Sequence, residues 1–144
     1  ISIGTPVLIP ENFIPDLTVR LNVYRRIADL VDNKEIDSYA AELTDRFGAL
    51  PEEVNNLLKV IAIKQLCRSA GVDKVDAGPR GAIVSFRNDD VKNLSGLIEL
   101  LGRKQETTQL RTDHKLVHKS NWKKAPDRVK GLTRLMQDLA AIAE

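Results

Sequence analysis

The spacing of apolar residues predicts a helix near the start of the chain, preceded by an extended segment. Residues 1–15 contain three prolines, which remove amide donors and favour extended backbone, so they are predicted to form an extended lead-in. Asp16 is a suitable N-cap for a helix that ends near Val31. The apolar positions that would line one face of this helix are Leu17, Leu21, Tyr24, Ile27 and Val31.

Two further helices are predicted before residue 71. The second follows a cap at Asp32 or Asn33 and ends at Gly48, with an apolar stripe of Ile36, Ala40, Leu43 and Phe47. The third runs from Pro51 to Ala70, and its apolar residues surround more than one face. Such a distribution indicates a helix buried between other elements, and residues 16–71 are therefore predicted to be helical.

The apolar period shortens after Gly71, which predicts a change to strands in residues 72–144. A turn at residues 78–81 joins two alternating runs into a β-hairpin that ends at Phe86. A helix at Val91–Leu101, two strands at Glu106–Arg111 and Lys115–Lys119, and a final helix starting at Pro126 follow. Three helices followed by β-β-α-β-β-α predict an α+β fold, with a small antiparallel sheet covered by helices.

Length and composition are those of one globular domain, predicted to span residues 1–144. The 144 residues are 42% hydrophobic and 29% charged, which excludes collagen-like and disordered classes. No apolar run approaches the roughly 18 residues of a membrane span, so no membrane partner is expected. A single cysteine, Cys67, indicates a reducing, cytoplasmic compartment. The start at Ile1, without Met or a signal peptide, suggests a piece of a longer protein.

Motifs for catalysis are absent from the sequence. It contains no phosphate-binding loop, no dinucleotide-binding glycine motif and no G-x-S-x-G elbow. Cys67 falls in the most apolar helix, where burial would suppress its thiolate. His114 and His118 would share one face of a strand but lack a third metal ligand, so solvated side chains are expected. The sequence therefore favours a non-enzymatic domain without a metal or cofactor.

Basic residues concentrate in residues 103–134. This segment holds ten basic and three acidic residues, a net charge of +7, which leaves −5 on the rest of the chain. One interpretation is a solvated face with the tryptophan packed on the last helix. The alternative is an accessory nucleic-acid-binding module that uses this segment. Its candidate contacts are Lys115, Lys119, Trp122, Lys123, Lys124 and Arg128.

The second helix presents another candidate surface, formed by Glu42, Asp45 and Arg46. At about 100° per residue, Asp45 points away from the apolar stripe, while Glu42 and Arg46 flank it. Glu42 and Arg46 stand four residues apart in the favourable order, so a local helix-stabilising ion pair is one interpretation. The other is a charged patch that docks onto an arginine-bearing protein surface.

Three sequence segments resemble the C-terminal domain of bacterial transcription-repair coupling factors, the Mfd family. They are LIPENFIPD at residues 8–16, RLNVYRRIA at residues 20–28 and ELTDRFGALP at residues 42–51. The hairpin that ends at Phe86 also fits. The resemblance is specific from about residue 7 to residue 86. In the rest of the chain, only the order of helices and strands matches.

The resemblance implies a regulatory role rather than a catalytic one. In this family an ATP-driven DNA translocase motor acts on stalled RNA polymerase, and a UvrB-like N-terminal module recruits UvrA. The C-terminal domain packs on the UvrB-like module of the same chain and hides its UvrA-binding surface. The family's contact motif matches Glu42, Asp45 and Arg46. ATP and Mg²⁺ would then belong to the motor, and contact with UvrA, RNA polymerase and DNA would be indirect.

Overall fold

Three helices form the first half of the chain, as predicted. The computed structural model describes residues 1–4 and 6–143. The helices before residue 71 are α1 (Leu17–Ala28), α2 (Asn33–Phe47) and α3 (Glu52–Ala70). Pro51 precedes α3 instead of starting it, and its carbonyl oxygen accepts hydrogen bonds from the first turn.

α1 is shorter than predicted, and its buried face is shifted from the predicted one. It ends at Ala28 rather than near Val31, which is exposed. Leu17 and Leu21, predicted to face the core, are 59% and 44% exposed. The buried residues are Ile27, as predicted, and Val23, which was not predicted. α1 carries two adjacent apolar arcs, and the arc through Val23 is the one that packs inward.

A four-stranded antiparallel sheet confirms the β part of the predicted α+β fold. The hairpin forms as predicted, with two residues between its strands. The strand order is β1-β2-β4-β3, and each neighbouring pair is antiparallel. The strands are β1 (Val72–Gly78), β2 (Gly81–Phe86), β3 (Thr108–Leu110) and β4 (Leu116–Lys119).

The strand register divides the sheet into a buried face and an outer face. Val84 lies opposite Val75 on β1 and Leu116 on β4, and all three are buried. The next residue, Ile83, lies opposite Val117 and is 37% exposed. Because side chains alternate along a strand, Ile83 and Val117 share the outer face.

Two helices follow the hairpin in the predicted order. α4 (Leu94–Arg103) begins after Asn93, three residues later than predicted. It buries Leu97 and Leu100, whereas Leu94 and Ile98 are exposed. α5 spans Ala125–Ala143. α4 packs against α5 and β3, and α5 packs against β1.

The chain divides into two compact units. Pro6–Gln65 form a helical unit, and Ile1–Thr5 together with Leu66–Glu144 form a sheet unit. The core of the helical unit joins residues from all three of its helices, among them Ile27, Leu43 and Val54. In the sheet unit, Ser2 pairs in parallel with Asp76 of β1. The first residues therefore extend the sheet at its β1 edge.

Candidate protein-binding face

Local signals determine where α2 begins and ends in the helical unit. Asp32 caps the helix by accepting a hydrogen bond from the amide of Glu35 at 2.8 Å. Gly48 ends it with a φ of 97°, a conformation that favours glycine. Ile36 and Leu43 are buried on the inner side, as predicted.

The three predicted contact residues are exposed on α2. Glu42, Asp45 and Arg46 all lie outside the buried stripe that contains Tyr39 and Leu43. The helix therefore holds two carboxylates and one guanidinium within five residues, all at solvent-accessible positions. This arrangement can form charge-assisted hydrogen bonds with a partner of complementary charge.

The local ion pair expected between Glu42 and Arg46 is not formed. The ion pairs within the part of the chain that the structure describes are Lys74–Asp76, Lys104–Asp138 and Arg111–Asp113. The guanidinium carbon of Arg46 lies 4.8 Å from the centroid of the Phe47 ring instead. Glu42 thus keeps its carboxylate available to a partner.

A shallow cavity of about 230 Å³ adjoins Glu42. Tyr39 contributes to its lining, and the guanidinium carbon of Arg26 lies 5.6 Å from the centroid of the Tyr39 ring. Burial raises the pKa of Tyr39 above its ordinary value, and the Glu42 carboxylate raises it further. The predicted apolar stripe did not include Tyr39. Its spacing of four residues from Leu43 could have indicated that the two side chains lie on the same side of the helix.

Two of the predicted nucleic-acid contacts are wrong, because their side chains are buried. Trp122 is 4% exposed and Arg128 is 5% exposed. A methyl group added at Gly131 of α5 would lie 2.5 Å from the indole nitrogen of Trp122, so the ring packs tightly on that helix. Trp122 therefore has no free face on which a base could stack.

The remaining basic candidates keep solvent access to different degrees. Lys119, Lys123 and Lys124 are exposed, and Lys115 is half-buried. None of these four forms an ion pair among the described residues. They lie at the two ends of β4 and in the loop before α5, so they are close together along the chain.

Cysteine and histidine occupy structural positions. Burial raises the pKa of the Cys67 thiol to about 11, which confirms the expected suppression of its thiolate. The two histidines do not share a strand face as predicted, because His114 lies in a turn with a φ of 67°. His114 is exposed, as expected, whereas His118 is half-buried and lies 2.8 Å from the Thr108 hydroxyl through its Nδ1. No group of three potential metal ligands occurs among the described residues.

Sequence reasoning missed a groove on the outer face of the sheet. Its volume is about 390 Å³, and its lining includes Ile83, Val117 and Arg80. The alternation of side chains along the strands could have indicated this groove, because it places the apolar Ile83 of β2 and Val117 of β4 on the outer face. Within residues 1–4 and 6–143, no helix is both long and apolar enough to cross a membrane.

Comparisons with known proteins identify the family. A model of the TRCF domain matches residues 3–97. The transcription-repair-coupling factor of Rickettsia bellii (strain RML369-C) is 35% identical over 118 residues, which cover 81% of this chain and 10% of the relative. The protein of the same name from Escherichia coli (strain K12) is 28% identical over 139 residues, covering 96% of this chain and 12% of the relative.

A solved structure supports the same fold. The crystal structure of the C-terminal domain of transcription-repair coupling factor superposes with a TM-score of 0.80 at 19% identity, covering 99% of this chain and 91% of that chain. This chain spans about a tenth of the length of the curated relatives that it matches. It belongs to the transcription-repair coupling factor family and contains the TRCF domain of that family.

Proposed function

We propose that this chain is a non-catalytic, autoinhibitory domain in transcription-coupled nucleotide excision repair. It packs on a UvrB-like N-terminal module of the same longer protein and masks the UvrA-binding surface of that module. Engagement of RNA polymerase releases the contact. The observation that carries the proposal is the exposed set of Glu42, Asp45 and Arg46 on α2, in a chain that belongs to the coupling-factor family.

The geometry of α2 suits a reversible protein contact. The two carboxylates lie on a rigid helix that is capped at Asp32 and ended at Gly48, so binding orders little backbone. Glu42 forms no ion pair among the described residues, so docking does not have to break one. Charged groups that become desolvated in an interface add specificity and can contribute to affinity when well paired.

Masking of this kind requires only a modest preference for the closed state. Holding about 99% of molecules closed takes about 2.7 kcal/mol. A few charge-assisted hydrogen bonds across an interface supply a free energy of that size. Because the two partners belong to one chain, their effective concentration is high, and the same contact should be weak between separate molecules.

The proposal assigns catalysis to other parts of the longer protein. An ATP-dependent DNA translocase motor would bind ATP and Mg²⁺, and this domain would need no cofactor. Its direct partner is the UvrB-like module, whereas UvrA, RNA polymerase and DNA are reached through the parent protein. The setting would be the bacterial cytoplasm, with no membrane contact.

Titration calorimetry of this domain against the isolated UvrB-like module tests the proposal. We expect saturable binding by the wild-type domain and its loss when Glu42→Ala, Asp45→Ala and Arg46→Ala are combined. A matched control removes two acids and one base from exposed positions of the sheet unit: Asp73→Ala, Glu99→Ala and Arg103→Ala. Equal loss of binding in both triple variants would contradict a contact through α2.

A second candidate is an accessory nucleic-acid-binding module. It is supported by the exposed Lys119, Lys123 and Lys124, which form no ion pairs among the described residues. Lysines that contact phosphates release counterions, so binding would weaken steeply with salt. Lys123→Ala combined with Lys124→Ala should lower duplex affinity and reduce its salt slope by about two. An unchanged slope would exclude those two lysines as phosphate contacts.

A further inference from the structure

The groove on the outer face of the sheet has an apolar floor. Ile83 and Val117 stand opposite each other in the β2–β4 register, and Pro79 adds to the apolar part of the lining. Ile83 is 37% exposed, although it lies on a central strand. An exposed apolar cluster on a sheet face is typical of a binding surface.

The turn at one end of the groove is held rigidly. Backbone hydrogen bonds connect the Ser120 amide to the Arg80 carbonyl at 3.0 Å and the Trp122 amide to the Pro79 carbonyl at 2.9 Å. A methyl group added at Gly81 would lie 1.9 Å from a backbone oxygen of β4, so the strands approach too closely there for any other residue. A groove with a fixed wall loses little conformational entropy when a ligand binds.

The rim of the groove is basic. Arg80 and Lys119 are exposed, line the groove and form no ion pair among the described residues. The one carboxylate in the lining, Asp76, lies 3.7 Å from the ammonium group of Lys74. The groove therefore offers an apolar floor between two uncompensated cations.

The chemistry of the lining favours a protein segment over a nucleic acid. Single-stranded nucleic acids bind by stacking bases on aromatic rings beside a basic track. Ile83, Val117 and Pro79 provide no π-face, and Trp122 is buried. The one other aromatic ring in the lining, His118, is half-buried and lies 2.8 Å from the Thr108 hydroxyl through its Nδ1. A branched apolar side chain fits this floor, and carboxylates beside it would complement Arg80 and Lys119.

We propose that this groove binds an extended acidic segment of a separate protein, which inserts one apolar side chain between Ile83 and Val117. Carboxylates that flank this side chain pair with Arg80 and Lys119. The masking contact proposed above uses α2 of the helical unit and does not account for this groove. The two proposals therefore stand on different residues and can fail independently.

Defined peptides in a solution binding assay test the groove. The probe is an acetylated peptide of about eight residues with a central leucine flanked by glutamates, long enough to follow the strands. When this peptide is added to the isotope-labelled 144-residue chain, we expect chemical-shift changes at the amides of Ile83 and Val117. Peptides with the leucine replaced by serine, or with the glutamates replaced by lysines, should bind at least about tenfold more weakly.

Charge reversal at the rim separates specific docking from general attraction. Arg80→Glu combined with Lys119→Glu should weaken binding of the acidic peptide by at least about tenfold. The control reverses two other exposed cations of the same unit, Arg103→Glu and Lys130→Glu, and should leave the affinity within about twofold. Because all four side chains are exposed, folding should be retained, which circular dichroism checks.

Three results would overturn the proposal. The first is absence of binding of the acidic peptide at about 1 mM. The second is equal weakening by the control reversal, which would indicate non-specific attraction. The third is a single-stranded oligonucleotide that shifts the same amides more strongly than the peptide, because the groove would then be a nucleic-acid site.

Discussion

Arg128 donates a hydrogen bond from Nη1 to the carbonyl oxygen of Ile3 at 2.8 Å, joining two residues that are 125 positions apart. The same guanidinium also donates to the carbonyl oxygens of Gly4, Trp122 and Lys123. Arg128 is 5% exposed and forms no ion pair among the described residues. Backbone dipoles alone therefore compensate its charge, and the side chain ties the N-terminal segment to the loop before α5.

Replacing Arg128 should destabilise the sheet unit. Arg128→Met leaves buried carbonyl oxygens without donors, which should lower the free energy of unfolding by about 2 to 4 kcal/mol. Urea denaturation followed by circular dichroism measures this change. Arg134→Met, at an exposed position of the same helix, should change it by less than about 0.5 kcal/mol. Equal effects of the two substitutions would show that the carbonyl network adds no stability.

Two glycine-to-alanine changes in helices should have opposite effects. At Gly131 the added methyl group would lie 2.5 Å from the indole of Trp122, and overpacking should cost about 1 to 3 kcal/mol. At Gly102 of α4 nothing lies within 4 Å, so the higher helix propensity of alanine should stabilise by up to about 1 kcal/mol. Thermal unfolding of both variants gives the comparison. A stabilised Gly131→Ala variant would contradict the tight packing of Trp122.

The stability of the sheet unit should fall in mild acid because of His118. Burial, and then the nearby Lys104 ammonium, hold the pKa of His118 below its ordinary 6.5. Well above pH 6.5 the ring is neutral in both the folded and the unfolded chain. As the pH falls below that value, the unfolded state takes up the proton first, so the free energy of unfolding decreases until the lower pKa of the folded state is reached.

Urea titrations between about pH 7.5 and pH 5 measure this effect. His118→Gln should flatten the pH dependence, whereas His114→Gln, in an exposed turn, serves as the control. A wild-type profile that His118→Gln leaves unchanged would assign the acid sensitivity to other groups.

The Cys67 thiol should react slowly in the folded chain. Burial raises its pKa to about 11 from an ordinary 9.0. At pH 8 the thiolate fraction, and hence the rate of reaction with a disulfide reagent, should be about a hundredfold lower than in urea-unfolded chain. The absorbance of the thiol that the disulfide reagent releases measures the rate in the folded and in the unfolded chain. Equal rates would contradict burial of this side chain.

The sequence predicted α2 well because its signals are local. Asp32 and Gly48 mark the ends, and one narrow apolar stripe through Ile36 and Leu43 sets the buried side. α1 shows where this reasoning fails. Leu17 and Leu21 share helical spacing with Ile27, yet they are exposed. The face that packs inward joins Ile27 to Val23 instead. Periodicity shows that a helix forms, but the choice between two adjacent apolar arcs depends on tertiary packing.

The burial of Arg128 could not be predicted from the sequence, for a different physical reason. A sequence shows that Arg128 is charged, but its acceptors are carbonyl oxygens supplied partly by residues 3 and 4. Those contacts exist only after the chain folds, so charge counting assigned Arg128 to the surface. Trp122 was correctly linked to the last helix in one interpretation, and its contact with Gly131 excludes the stacking alternative.

Binding of UvrA by the longer parent protein tests the masking proposal most directly. If the α2 face holds about 99% of molecules closed, then Glu42→Ala, Asp45→Ala and Arg46→Ala together should raise the apparent UvrA affinity by up to about a hundredfold. The control triple variant, Asp73→Ala, Glu99→Ala and Arg103→Ala, should bind UvrA like the wild type. A folded α2 variant whose UvrA affinity stays within about twofold of the wild type would contradict masking by these residues.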